Sequence, residues 1–509
     1  MRRLVVASVA GGVLLGSALS AGPASARPAD PSAGSTQTGN ASLPTIGECR
    51  SRFGSICLTP AQLRQAYGVD SLVAKGITGK GVTIGIVDSF GSPTLEADLD
   101  AFDQAFGLPP VDLEVVAPAG ASPPFDPGDA DMAGWALETT LDVEVAHSIA
   151  PGAKIVVITT PVSETEGLQG FPEIVSAEHA MLGRVDVLSQ SFAATEPTFT
   201  SPDVVRQLSE QVYPAAKASG VSVLSSSGDS GPTDLTLDMK SLYSRPVTVW
   251  PASDPLVTAV GGTHLGVGTA GTRTGPDRGW SGSGAGGGGV SEIFTRPAFQ
   301  SALTGVPGAG RAVPDISLDA DPATGLLIYV GGQWRPGGGT SHAAPLLAAL
   351  VALADQAAGA RIGYLNDALY RLASAADEGA SSGIVDVTLG SNAVAGSSVP
   401  GYPARPGYDL ATGLGTLDAS KFVPAIVAAT ADQHQPLASS AGASPSAGPF
   451  PVPASSSDPP PAGASPVAAG PGPGGSEDPG PGWIGLASGA LLLAVIAAVT
   501  AVRRRRAPP

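Results

Sequence analysis

The chain has 509 residues, with 27 Lys and Arg against 44 Asp and Glu and a formal net charge of -17. This balance argues against nucleic acid or anionic membrane surfaces as partners and suits solubility in an exposed setting. With only two cysteines, no cysteine-rich scaffold or thiolate metal cluster can be built.

Met1-Arg2-Arg3, the apolar stretch that follows and the small residues Ala24-Ser25-Ala26 predict a secretory signal peptide over 1–26. A short N-terminal segment, 27–57, holds Cys49 and Cys57, whose closeness in an exported segment predicts a local disulfide. Thr59-Pro60 supplies an N-cap and a first helical residue for a helix to Tyr67. Apolar runs at 82–87, 154–158, 185–189, 221–225 and 257–260 suit buried parallel strands. Helical patterns at 94–106, 134–147, 203–218 and 361–373 are interspersed among or follow them. The alternation predicts an α/β fold with a parallel sheet, in which ligands bind at the carboxyl ends of the strands.

Three places are candidates for chemistry, and a fourth, a glycine-rich run, is not. Glu138 and Asp142 stand four apart in an otherwise apolar helical stretch, which stacks them on one face. Like charges so placed repel, and sharing one proton relieves the conflict. The same spacing also fits a solvated face that includes Glu144. Asp229, in SSSGDSG at 225–231, falls in a glycine-bounded turn after a strand, as an ordinary turn Asp would. The run 284–289 lacks the setting and the Lys of a phosphate loop and is expected to be a flexible loop. GGTSHAAP, 338–345, places Ser341 at the mouth of an apolar helix, beside unpaired N–H groups able to hold an oxyanion. It fits a nucleophile and also a plain N-cap.

Histidine is a poor candidate for the base. No HGTH-like string exists among His147, His179, His264, His342 and His434. His342 points about 100° away from Ser341 on a helix, and His147 is expected to face solvent or the helix C-terminal dipole.

Further on, 428–482 is a Pro/Ala/Gly/Ser-rich stretch that reads as a disordered stalk. The uncharged run 483–502 is long enough to span a bilayer, and Arg503 to Arg506 in the tail 503–509 would stay in the cytoplasm. The expectation is a single-pass membrane protein with its 58–427 domain outside the cell.

Together Glu138, Asp142, Asp229 and Ser341 resemble the catalytic set of the sedolisins, the serine-carboxyl peptidases, whose fold is subtilisin-like. Further likeness lies in LTPAQLRQAYG at 58–68, WPASDPLVTAVGGT at 250–263, RAVPDISLDADPATG at 311–325, and DVTLG and PGYDLATGLGT within 386–416. The resemblance implies Ser341 as nucleophile, Glu138 as general base, Asp142 as the group orienting it, and Asp229 as oxyanion donor. It implies an endopeptidase for peptide or protein substrates, active at acid pH and expected to be a monomer. It also implies one structural Ca²⁺ held by Asp386 and Asp409 with the carbonyls of Val387, Arg405 and Gly407, an oxygen set that suits the ion. Gly338 replaces a serine common in this motif, and Asp88 stands where sedolisins often carry Glu, either to bond toward Glu138 or to cap a strand end. Sedolisins typically carry a domain-sized proregion, whereas only 27–57 separates the expected signal from the domain. Two other readings compete: a non-catalytic surface binding module on the same scaffold, and a glycoside hydrolase with paired carboxylates.

Overall fold

The computed structural model describes residues 42–164, 169–303, 305–377 and 381–438. The expected signal peptide and membrane span lie outside these residues, and among the described residues no helix is long and apolar enough to cross a membrane.

Helix Ile46–Phe53 opens on a capping box of Thr45 and Glu48, and Cys49 is joined to Cys57 as expected. Helix Pro60–Tyr67 opens on a second box, Thr59 with Gln62. Cys49, Leu58 and Leu63 are all buried in the main core. Part of 27–57 therefore belongs to the folded body.

Seven parallel strands form the central sheet: β1 (Thr83–Ser89), β2 (Asp112–Val116), β3 (Lys154–Thr160), β4 (Val187–Gln190), β5 (Ser222–Ser226), β6 (Thr258–His264) and β7 (Ile316–Asp319). Their order is β7-β6-β5-β4-β1-β3-β2, and Arg278–Gly279 adds a short antiparallel pair on β6. All five expected strands are present. The two that periodicity missed are the terminal ones in this order. β2 is half-exposed and carries Asp112 and Glu114, so it shows no apolar run. β7 alternates Ile316 and Leu318 with Ser317 and Asp319 over only four residues.

One face of the sheet is covered by helices Ala130–Ile149 and Thr340–Ala358, which pack on each other and on β1. The second runs across the middle of the molecule, and from Ala343 to Ala354 it is completely buried. Helices Phe171–Met181 and Pro202–Ala218 cover the other face, over an aromatic cluster of Phe171, Phe199, Tyr213 and Trp250. This is the expected α/β architecture.

Two expectations need correction. The helix anticipated at 361–373 is Asn366–Asp377. Arg361 instead pairs its main chain with Gln435 and sends its guanidinium to Asp186, which holds the start of that stretch extended. The boundary at 427 falls inside helix Ala419–Ala429, and Ala438 N–H donates to Asp186. Residues to 438 are thus folded onto the body, and only the later part of 428–482 is left for a stalk.

Candidate active site

Four loops and helix starts converge at the carboxyl end of the sheet. Strand β1 delivers Asp88, β4 leads into Ser191, β5 leads into Asp229, and the turn before helix Thr340–Ala358 delivers Ser341. Helix Ala130–Ile149 lies beside them with Glu138 and Asp142 facing inward. It is buried nearly all round from Met132 to Ile149, so the reading of a solvated face that includes Glu144 is wrong for this helix.

The nucleophile turn is built by small residues under constraint. Gly339 has φ of +85°, a conformation that favours glycine, and a Cβ there would sit 2.6 Å from Asp229 Oδ2. A Cβ on Gly338 would run into the ring of Pro322. In this chain Pro322 leaves room only for glycine at 338. Ser341 stays half-buried while its helical neighbours are buried, so its hydroxyl remains reachable.

The Ser341 hydroxyl lies near enough to the Glu138 carboxyl to favour its ionised form. Burial works against that form more strongly, reinforced by Asp88 and Asp229, and raises the Glu138 pKa to about 8. Asp142 is fully buried, accepts a hydrogen bond from Ser191 Oγ at 2.6 Å, and has its pKa driven well up by burial and by the neighbouring carboxyls of Asp88 and Glu138. Asp88 is also fully buried. Burial raises its pKa to about 7, the nearby Thr139 hydroxyl pulling slightly the other way. Among the described residues, Glu138 Oε1, Asp142 Oδ1 and both oxygens of Asp88 lack a well-formed hydrogen bond. Clustered carboxyls with such orphan oxygens are satisfied by protons shared between them.

Asp229 lies against the start of helix Thr340–Ala358. Its Oδ1 accepts from Thr340 N–H at 2.7 Å and faces Thr340 Oγ1 at 2.8 Å. A proton on this carboxyl therefore belongs on Oδ2. Enclosure raises its pKa while the Thr340 contacts lower it.

The loop carrying Asp229 is held by 284–289, and this corrects the expectation of a flexible loop. Gly287 N–H donates to Gly228 O at 2.7 Å, Ala285 N–H to Asp229 O at 2.9 Å, and Ser227 Oγ to Gly287 O at 2.8 Å. Residues 285–289 are buried, and a Cβ on Gly287 would overlap the carbonyl oxygen of Ser227. The glycines permit close backbone packing.

Neither neighbouring histidine reaches Ser341 as a base. His342 is fully buried with main-chain partners on both ring nitrogens, Asp319 O and Leu326 N–H. His147 is fully buried against Pro109 O and Asp103, so it does not face solvent, although it lies in the last turn of its helix. Sequence reasoning missed Ser191 and Thr340 as the donors that orient Asp142 and Asp229. The signal for Ser191 is its place one residue beyond the carboxyl end of β4.

A second cluster lies at the far carboxyl-terminal side. Asp386, Arg405, Gly407 and Asp409 line one cavity of about 640 Å³. Gly407 N–H donates to Asp386 Oδ2 at 2.9 Å and Arg405 N–H to Asp409 Oδ2 at 2.7 Å, which fixes both carboxylates on the same loop. The carbonyl of Val387 faces Thr412 Oγ1 at 3.5 Å, and that hydroxyl also faces Asp409 Oδ1 at 3.3 Å. Burial raises the Asp409 pKa. The oxygen-only donors brought together here fit a hard cation. Among the described residues no group of three or more His, Cys, Asp or Glu side chains is arranged for a metal, so carbonyls would have to complete the set.

Comparison with known proteins agrees with this geometry. Residues 130–367 match the Subtilase family. Kumamolisin of Bacillus sp. (strain MN-32) is 35% identical over 393 residues, covering 74% of this chain and 65% of that protein. Sedolisin of Pseudomonas sp. (strain 101) is 31% identical over 352 residues, covering 68% of this chain and 58% of its own length. The chain thus spans less than two thirds of either relative. The solved structure of Pseudomonas sedolisin, described as a serine-carboxyl proteinase complexed with two molecules of pseudo-iodotyrostatin, superposes with a TM-score of 0.62 at 28% identity. That match covers 73% of this chain and 98% of the solved one. The chain belongs to the sedolisin family and has its subtilisin-like α/β fold.

Proposed function

We propose that this protein is a serine-carboxyl endopeptidase. The observation that carries the reading is the Ser341 hydroxyl placed beside the buried Glu138 carboxyl, in a site where no histidine reaches the serine. Ser341 Oγ attacks the scissile carbonyl carbon as its proton passes to Glu138. Asp142, held by Ser191, orients Glu138 and shares proton charge with it. Asp229, protonated on Oδ2, donates to the oxyanion of the tetrahedral intermediate. Glu138 then returns the proton to the leaving amine, and water repeats the sequence on the acyl-enzyme.

Asp386, Asp409 and the carbonyls of Val387, Arg405 and Gly407 would hold a structural Ca²⁺. Bound there, the ion supplies positive charge to carboxylates remote from the reacting atoms. A signal peptide at 1–26 and an anchor at 483–502 support a reading in which the enzyme is exported, tethered to the cell membrane and active outside the cell.

The decisive experiment is turnover of a peptide library at acid pH by the full chain and by Ser341→Ala and Glu138→Gln. Both variants should lose at least about 10³-fold in kcat/KM while still binding substrate. A Ser341→Ala variant with undiminished peptide turnover would mean that another residue is the nucleophile or that a contaminant cleaves. A wild type that cleaves glycosides and no peptide would point to a carbohydrate enzyme. A wild-type chain that binds peptide without cleaving it would point to a binding module.

A further inference from the structure

His342 follows the nucleophile directly, and its two ring nitrogens have different jobs. Nδ1 lies 2.8 Å from Asp319 O, a carbonyl that can only accept, so Nδ1 carries a proton. Leu326 N–H donates to Nε2 at 3.3 Å, so Nε2 is bare. These contacts define one neutral tautomer. His342 and Leu326 are both fully buried, so water cannot stand in for either partner.

The same two segments hold the turn that presents Ser341. Ala320 O accepts from Gly339 N–H at 2.7 Å, and Leu326 O accepts from Gly337 N–H at 2.6 Å. The segment around Leu326 is tied in turn to Leu58, through Leu327 N–H to Leu58 O at 2.8 Å. The imidazole thus closes a ring. Asp319-Ala320 on one side and Leu326 on the other grip both the glycine turn and the side chain one residue beyond the serine.

We propose that neutral His342 is a positioning residue for Ser341, and that its protonation loosens the nucleophile turn and sets the low-pH limit of activity. A second ring proton would point Nε2–H at Leu326 N–H, two donors face to face with no water to separate them. Relief requires Leu326 or the helix start to move, and either motion shifts Gly337 or Ser341. Burial already holds the His342 pKa down to about 4, within the range where an acid peptidase works.

The surrounding groups do not supply an alternative. From β7, the Asp319 carboxyl is engaged by Thr324 Oγ1 at 2.7 Å, and burial drives its pKa well up. Asp321 beyond it is paired with His264, and Asp277 with Arg273. Tyr67, from helix Pro60–Tyr67, accepts through its hydroxyl from Asp319 N–H. Helix Ala130–Ile149 contributes Leu141, beside Gly337, and Glu138, whose carboxyl lies near the Ser341 hydroxyl. The imidazole's two hydrogen-bonding partners are both main-chain atoms.

The inference rests on the peptidase reading for its activity test, but its structural half stands apart. The pH dependence of kcat and KM should be measured between pH 2.5 and 7 for wild type, His342→Gln and His342→Leu. Gln offers one donor and one acceptor without titrating, so it should keep kcat within about threefold at the optimum. At pH 3 it should outperform wild type by about tenfold. Leu should lower kcat at every pH with KM little changed. Superimposable acid limbs for wild type and His342→Gln would overturn the proposal. In parallel, hydrogen exchange at the Leu326 amide of the wild-type chain should lose protection reversibly as pH falls through about 4. An amide that stays protected at pH 3 would also overturn it, whether or not the variants fold. A wild type without any turnover would sink the peptidase reading and leave the Leu326 measurement to decide this one.

Discussion

Which oxygen of Asp229 holds the proton decides how this site can work. Thr340 occupies Oδ1, so the proton sits on Oδ2, beside Gly339, where it is free to meet an oxyanion. Under the proposed mechanism, catalysis needs that proton in place and Glu138 without one. The rate therefore rises as Glu138 ionises and falls as Asp229 ionises. Burial lifts Glu138 to about 8, while Asp229 is raised from 3.8 with the Thr340 contacts holding it back. The base keeps its proton to higher pH than the donor if Asp229 is raised less than Glu138. The active arrangement is then the minor proton tautomer, and the two ionisations still give a bell, on whose acid side His342 protonation imposes a further fall as pH drops through about 4. Plots of kcat/KM against pH should peak below pH 7. Asp229→Asn keeps an N–H donor that does not titrate, so its alkaline limb should move to higher pH. Asp229→Ala should cost about 10²–10³-fold in kcat. A wild-type peak above pH 7, or an unmoved alkaline limb in Asp229→Asn, contradicts the assignment.

At the scale of elements, the glycine stretch 284–289 shows where local pattern and tertiary packing part. Nothing in Gly-Ala-Gly-Gly-Gly-Gly distinguishes a mobile linker from a backbone squeezed against another backbone. The distinction lies in Ser227 and Gly228, more than fifty residues earlier, whose carbonyl oxygens leave no room for a Cβ. Gly287→Ala should destabilise the protein by about 3 kcal/mol and lower kcat by displacing Asp229. Gly275→Ala, where nothing lies within 4 Å of the added carbon, should be close to neutral in stability. Equal melting temperatures for the two variants would show that the loop is slack after all. The same contrast explains what could be read ahead of the structure. The helix at Glu138 is legible from its apolar residues although buried acids interrupt them. The five central strands and the helix at Ser341 announce themselves because burial on all sides favours largely apolar runs. β2 does not, because half of it faces solvent, and β7 does not, because Asp319 and Ser317 interrupt so short a run. Of the site, the four chain-specific positions were legible as types at a spacing. Ser191 and Thr340 were not, because orienting a carboxylate needs only a hydroxyl that the fold brings near.

Across the whole molecule, burying acidic groups with few cations to pair them ties stability to pH. Asp88 is raised to about 7 and Glu138 to about 8, and Asp142, Glu144, Glu178, Asp319 and Asp355 are all driven well up by burial. Glu178 is the plainest instance: among the described residues neither of its oxygens has a hydrogen-bond partner, and desolvation alone shifts it. A carboxyl whose pKa is raised on folding contributes stability in full below its unfolded pKa of about 4 and loses it as pH climbs through the folded value. His342 works in the opposite sense. Its lowered pKa makes acid destabilising between about 6.5 and 4, but it is one group against seven. Asp409 differs from the seven because a cation held with Asp386 would offset its burial. The melting temperature should therefore be higher at pH 4.5 than at pH 8. A calcium chelator should lower it most at pH 8, where fewest protons compete with the ion for the loop carboxylates. A higher melting temperature at pH 8 in calcium-free buffer would mean that the buried carboxyls ionise without penalty. An identical melt with and without chelator, in protein that contains no calcium as purified, would remove the ion from the loop.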